Sequence, residues 1–137
     1  MGSFTVDLRR FKLDTAQKAE KVVRKIALDL LTMVVTASPV DTGRFRHNNQ
    51  ISLNSLPGTV LLGFDKSGTA TIASGDAKLG AYRLGDTIFI YNNVEYGIYL
   101  EFGRDDGRPG SVLAPNGVFR ISVQSLVNHF SAAGLVT

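Results

Sequence analysis

The sequence predicts an α+β fold: a mostly antiparallel sheet packed by a long N-terminal amphipathic helix and a C-terminal helix. Three observations carry that class. Apolar residues recur every three to four positions over residues 16–37, and again over 119–130. Between them, β-branched and aromatic residues gather at 59–64 and 87–91. Helices at both ends and strands between them give a layer of helices on a sheet. With 137 residues and no internal repeat, the chain reads as a single domain, 1–137.

Residues 1–13 read as an extended arm, because Phe4, Val6 and Leu8 alternate with polar neighbours. Asp14 with Gln17 three residues on makes a capping box for the long helix, 14–38. Ala19, Val22, Val23, Ile26, Ala27, Leu30, Val34 and Ala37 share one face, and Lys18, Lys21, Arg24, Lys25 and Asp29 the other. Pro39 disfavours helical geometry at Ser38 and ends the run. Residues 45–92 then read as strands and a flexible loop. Residues 45–53 can pair, Pro57-Gly58 makes a turn, and 59–64 is an apolar strand. The Gly-, Ala-, Ser- and Thr-rich stretch 66–86 reads as the loop, with a weak helix over 77–84. Residues 87–91 are the clearest strand, ended by Asn92-Asn93. The last helix, 116–131, buries Phe119, Val123, Leu126, Val127 and Phe130 on one face and stops before Gly134.

Composition narrows the function classes. Charged residues are 20% of the chain and the net charge is +3, a balance of folded rather than disordered sequences. A pI near 9.4 is mildly basic, yet no dense Lys/Arg patch with interleaved aromatics follows a nucleic-acid backbone. The absence of cysteine excludes disulfides and thiolate metal sites. No apolar run approaches the roughly 20 residues of a membrane span, and the start lacks the basic and apolar regions of a signal peptide. The expectation is a protein used in the compartment that makes it.

Asp41-Thr42-Gly43 is the sharpest enzymatic lure, since D-T-G is the aspartic-protease signature. That chemistry needs two carboxylates sharing a proton in a buried site. Its flanks should be apolar strands, but Ser38-Pro39 and Arg44-Phe45-Arg46 flank it here. A turn fits better: Asp41 caps it, Thr42 supports it, and Gly43 takes a backbone conformation other residues avoid. Asp105-Asp106-Gly107 lacks the ligand spacing of a calcium loop. His47 and His129 have no metal-ligand spacing, and no nucleophile or phosphate-loop motif occurs. No catalytic residue, metal or cofactor is therefore expected. Tyr91, Tyr96, Tyr99 and Phe102 put several rings within a dozen residues, either as core or as an interface. Glu101, between Leu100 and Phe102, calls for an Arg partner or backbone N–H groups; Arg44 and Arg46 are the candidates.

Three segments, in order, carry a family resemblance. Pro39-Val-Asp-Thr-Gly-Arg-Phe-Arg46 follows the long helix. Gly85-Asp-Thr-Ile-Phe-Ile is followed by Asn92-Asn93-Val, Tyr96 and Leu100-Glu-Phe-Gly103. Ala114-Pro115 and Gly117-Val-Phe-Arg120 lead into the last helix. Together they resemble the neck and tail-completion (minor tail) proteins of long-tailed bacteriophages, over about residues 4–130. The chain departs from that pattern in three ways. Asn48 and Asn49 stand where the family commonly has Trp, Glu95 stands where Pro often precedes the tyrosine, and the loop through 105–112 is longer. The resemblance implies a structural virion protein at the head–tail junction, not an enzyme. It would work as a tail-completion or tail-terminator component in a homo-oligomeric ring, a hexamer. Its partners would be neck, connector and tail-tube proteins, with genomic DNA passing the lumen and no membrane. It would be made in the host cytoplasm and end in the virion. The candidate interface comprises Asp41, Thr42, Gly43, Arg44, Arg46, Tyr96, Tyr99, Glu101 and Phe102. The alternative is a small basic nucleic-acid-binding module using the basic face of the long helix.

Overall fold

The computed structural model describes residues 16–132. The expected arm at 1–13, the Asp14 cap and Gly134 lie outside those residues. The element order is α1 (Ala16–Ala37), α2 (Arg44–His47), β1 (Gln50–Leu53), α3 (Thr69–Leu79), β2 (Ile88–Tyr91), α4 (Gly97–Phe102) and α5 (Phe119–Ala132). The chain is α+β, with a long N-terminal helix, a C-terminal helix and a small antiparallel sheet.

Helix α1 is the axis of the molecule. Its apolar face buries Ala19, Ala27, Leu31, Val34 and Val35. Two cores form along it. Leu31 and Val35 pack with Ile51 of β1 and Leu79 of α3, against Ile88 and Ile90 of β2. Val34 packs with Phe45, Val94, Ala114 and Val118, against Leu100 and Phe119. Each fully buried Leu, Ile or Val stabilises the fold by about 1.5–3 kcal/mol. Beyond Ala37, the Ser38 hydroxyl donates back to the Val34 carbonyl (2.8 Å) and Pro39 follows.

The sheet is smaller than the sequence suggests. β1 pairs only with β2, antiparallel, with Gln50 opposite Tyr91 and Leu53 opposite Ile88. Residues 44–47 form a helical turn rather than the start of a strand. Gly43, with φ 93°, redirects the chain into that turn. Residues 59–64 join no ladder either. Asn48, Gln50 and Asn93 tether them through side chains instead.

The stretch 66–86, expected to be a flexible loop, contains the packed helix α3. Asp65 starts it: one carboxylate oxygen accepts the Gly68 N–H (3.0 Å), the other the Thr71 N–H and hydroxyl (2.9 and 2.7 Å). Thr71, Gly75 and Leu79 are buried. At Gly75 a Cβ would collide with the Leu31 side chain, so only glycine lets α3 lie this close to α1. The small residues that read as loop are what permit the close packing.

Candidate functional site

The three motif segments singled out in the sequence meet around the second core. Residues 41–46 cross the end of α1, and Phe45 enters the core beside Val34 and Val94. The Tyr96 ring lies 6.1 Å from that of Phe45. Arg44 makes a two-pronged bond to Glu95, Nη1 to Oε1 at 3.0 Å and Nη2 to Oε2 at 3.1 Å. Its guanidinium also sits over the Tyr96 ring, 5.7 Å from the centroid. Hydrogen bonding from Arg44 holds the Glu95 carboxyl below the usual carboxylate range. Glu95 is thus the ion-pair partner of Arg44.

Thr42, not Asp41, supplies the side-chain bond at the turn: its hydroxyl accepts the Arg44 N–H (3.2 Å). Asp41 is exposed. The Gly43 carbonyl accepts two N–H groups, from His47 (2.9 Å) and Asp65 (3.1 Å). A Cβ on Gly43 would come within 2.8 Å of the Asp65 backbone, so close approach and positive φ both require glycine. Arg46 turns away from the aromatic cluster and donates to the carbonyls of Lys66 (2.7 Å), Ser38 (2.9 Å) and Thr36 (3.3 Å). It ties the end of α1 to the approach of α3.

Glu101 is buried, 7% exposed, and its partners are neither Arg44 nor Arg46. Its carboxylate accepts the N–H groups of Val118 (2.8 Å), Phe119 (2.9 Å) and Arg120 (2.8 Å), plus Nε of Arg120 (3.1 Å). The Arg120 guanidinium also donates to the Glu101 carbonyl. Three otherwise unpaired donors at the start of α5 are satisfied by one carboxylate, at the helix end where negative charge is favoured. Burial pushes the Glu101 carboxyl upward, but the bonds from Val118, Arg120 and Phe119 outweigh it and hold it below its ordinary value. Gly117 makes the approach possible: its φ is 89°, and a Cβ there would lie 2.7 Å from the Glu101 carbonyl oxygen.

Sequence reasoning asked for an Arg or N–H groups around Glu101 and picked the wrong arginines. Arg120, in the third motif segment and at a helix start, was the available signal. It also missed the paired asparagines. Asn49 donates to the Ser38 hydroxyl (2.8 Å) and the Arg46 carbonyl (3.1 Å). Asn92 donates to the Phe45 carbonyl (2.8 Å) and to Asn49 (3.1 Å). The buried Asn49 and the half-buried Asn92 fasten residues 38–46 to the end of β2. Two Asn-Asn pairs at the facing ends of two strands were the sequence clue.

The rings divide between core and surface. Tyr91 is buried, whereas Tyr96, Tyr99 and Phe102 are 36%, 46% and 60% exposed. Phe102 stacks under the Arg120 guanidinium, 4.7 Å from its centroid. Ile98 and Leu113 are also exposed. An open groove of about 520 Å³ runs between residues 39–45 and Tyr96, Leu100 and Leu113, with Phe64 on its rim. On α1 the basic face is partly neutralised, Arg24 by Glu20 (3.4 Å) and Lys25 by Asp29 (3.1 Å). Among the described residues no group of three His, Cys, Asp or Glu could hold a metal ion, and no helix is long and apolar enough to cross a membrane. No protein-family model, curated protein or solved structure matches the chain.

Proposed function

We propose that the chain is a structural virion protein of a tailed phage, a tail-completion or tail-terminator component acting in a homo-oligomeric ring at the neck. The observation that carries the reading is the union of the three family-like segments around one core. Residues 41–46 are locked to Glu95 and Tyr96, and α4 is locked to α5 through Glu101. The unit so fixed presents Ile98, Tyr99, Phe102 and Leu113 to solvent. Exposed Tyr and Phe on a rigid support are the anchor type that protein interfaces favour. A ring needs two different patches that meet between neighbours. The aromatic patch is one of them, and the groove beside residues 39–45 adjoins it.

The reading assigns no reaction, cofactor or metal to the chain. Its test is native mass measurement of the purified protein, alone and mixed with the tail-tube protein of the same phage. A closed ring that binds the tube protein is expected. A chain that closes no ring, ignores the tube protein and is dispensable for joining tails to heads would overturn it.

A further inference from the structure

The asparagines of this chain are almost all held by their side chains. Asn48, Asn49, Asn54, Asn92 and Asn93 each donate a side-chain hydrogen bond, and the Asn128 side-chain oxygen accepts one from Gln124. Asn116 differs. It is exposed, and among the described residues its side-chain amide makes no hydrogen bond. It is also the only asparagine followed by glycine.

Asn116 sits in the turn that feeds α5. The Gly117 N–H donates to the Ala114 carbonyl (3.2 Å), closing a turn over Pro115 and Asn116. Proline second and glycine fourth suit a type I turn, and Asn116 has no positive φ. That closing bond is long for an N–H to a carbonyl. Pro115 and Asn116 both face solvent, so this end of the turn opens locally. Glycine takes φ of either sign, so the peptide plane between Asn116 and Gly117 can rotate once the bond opens. No side chain at 117 then shields the nitrogen.

These conditions suit an intramolecular attack on a thermolabile amide. The Gly117 nitrogen loses its proton to solvent base and bonds to Cγ of Asn116. The bond from Cγ to Nδ2 breaks, and Nδ2 takes a proton and leaves as ammonia. Water then adds to one of the two carbonyls of the cyclic imide. Opening on one side gives aspartate. Opening on the other gives isoaspartate, whose main chain runs through Cβ and Cγ and is one carbon longer. The turn has little room for that carbon, because Gly117 lies against the Glu101 carbonyl and the next residues supply the donors that Glu101 binds. Asp106-Gly107 offers the same pair of residue types, but its carboxylate is bound by the Arg108 N–H (3.1 Å) and Nε (2.7 Å).

We infer that Asn116 is a site of spontaneous deamidation, and that its isoaspartate product loosens the hold of Glu101 on the start of α5. The inference requires nothing of the neck reading.

Ageing the full chain in warm, mildly alkaline buffer tests it. Samples are mapped by mass spectrometry, with isoaspartate read by enzymatic methylation and by fragmentation that separates Asn116 from Asp106. Asn116 should convert before any other asparagine, with isoaspartate as the larger product. Ion exchange separates converted from unconverted chains, and the converted fraction should melt at a lower temperature. Asn116→Gln, whose longer side chain closes the ring far more slowly, should start with the wild-type melt and age without change. Three results would overturn the inference. They are an Asn116 still intact when chain unfolded in denaturant has fully converted, another asparagine converting first, and a converted fraction that melts like the unconverted one.

Discussion

Glu95 and Glu101 stand six positions apart, each bonded to an arginine, yet they do different work. The Glu95 side chain is 72% exposed, and Arg44 grips it with both prongs on the surface. Glu101 is 7% exposed, and most of its bonds go to backbone N–H groups at the start of α5. Water replaces much of what Arg44 gives Glu95, because an exposed pair is screened and orders two flexible side chains. Water replaces less of what Glu101 gives, because losing it strands the buried Val118 N–H and the partly buried N–H groups of Phe119 and Arg120. A motif arginine beside a motif carboxylate therefore says little about stability until burial is known.

Removing the buried member should have the largest effect. Glu101→Ala is expected to destabilise the chain by roughly 2–4 kcal/mol, read from denaturant or thermal melts. Gly117→Ala attacks the same site from the other side, pushing a methyl toward Glu101 at a positive φ. It should cost about 1–3 kcal/mol, and a melt as stable as the wild type would mean the backbone gives way freely. Acid should separate the two carboxylates next. The folded Glu101 carboxyl lies below its unfolded value, so its contribution is complete above the unfolded value, about pH 4.3. That contribution is lost as pH falls through the folded value. The stability gap between wild type and Glu101→Gln should close over that range, and a gap unchanged down to acid unfolding would contradict the capping role.

Smaller effects belong to the surface. Phe102→Ala should change monomer stability by about 1 kcal/mol or less, since the ring is 60% exposed, while impairing the joining of tails to heads. Normal melting with normal assembly would remove Phe102 from the proposed interface. Asp41→Asn should be the quietest, within about 0.5 kcal/mol, and on the proposed structural role it should abolish no activity. A peptide-cleaving activity abolished by that substitution would overturn the structural reading.

Much of this architecture is legible in the sequence where period and packing agree. The stripe through Leu30 and Val34 and the β-branched run at 88–91 both appear as elements close to their expected bounds. Helix α3 was hidden because Thr69, Ala70, Ala73, Ser74 and Gly75 give little contrast between faces. Its start depends on Asp65, a cap four residues ahead of the first helical residue. Residues 59–64 misled in the opposite sense, since β-propensity describes a surface that suits a strand without supplying a partner. At the site, the need of Glu101 for donors was readable from its apolar neighbours. The donors were not, because they come from residues 118–120, brought close by the turn at Gly117 rather than by any local pattern.

The Gly43 carbonyl, shared between the N–H groups of His47 and Asp65, also makes a path for force. Asp65 holds the first turn of α3 through its side chain while its backbone hangs on Gly43. Tension applied to residues 41–46 by a docked neighbour would pass through that peptide, and through the Arg46 bond to the Lys66 carbonyl, to α3, and from there to α1 against Gly75. The first amides to lose protection under such a pull should be those of Gly68 and Thr71, which Asp65 holds.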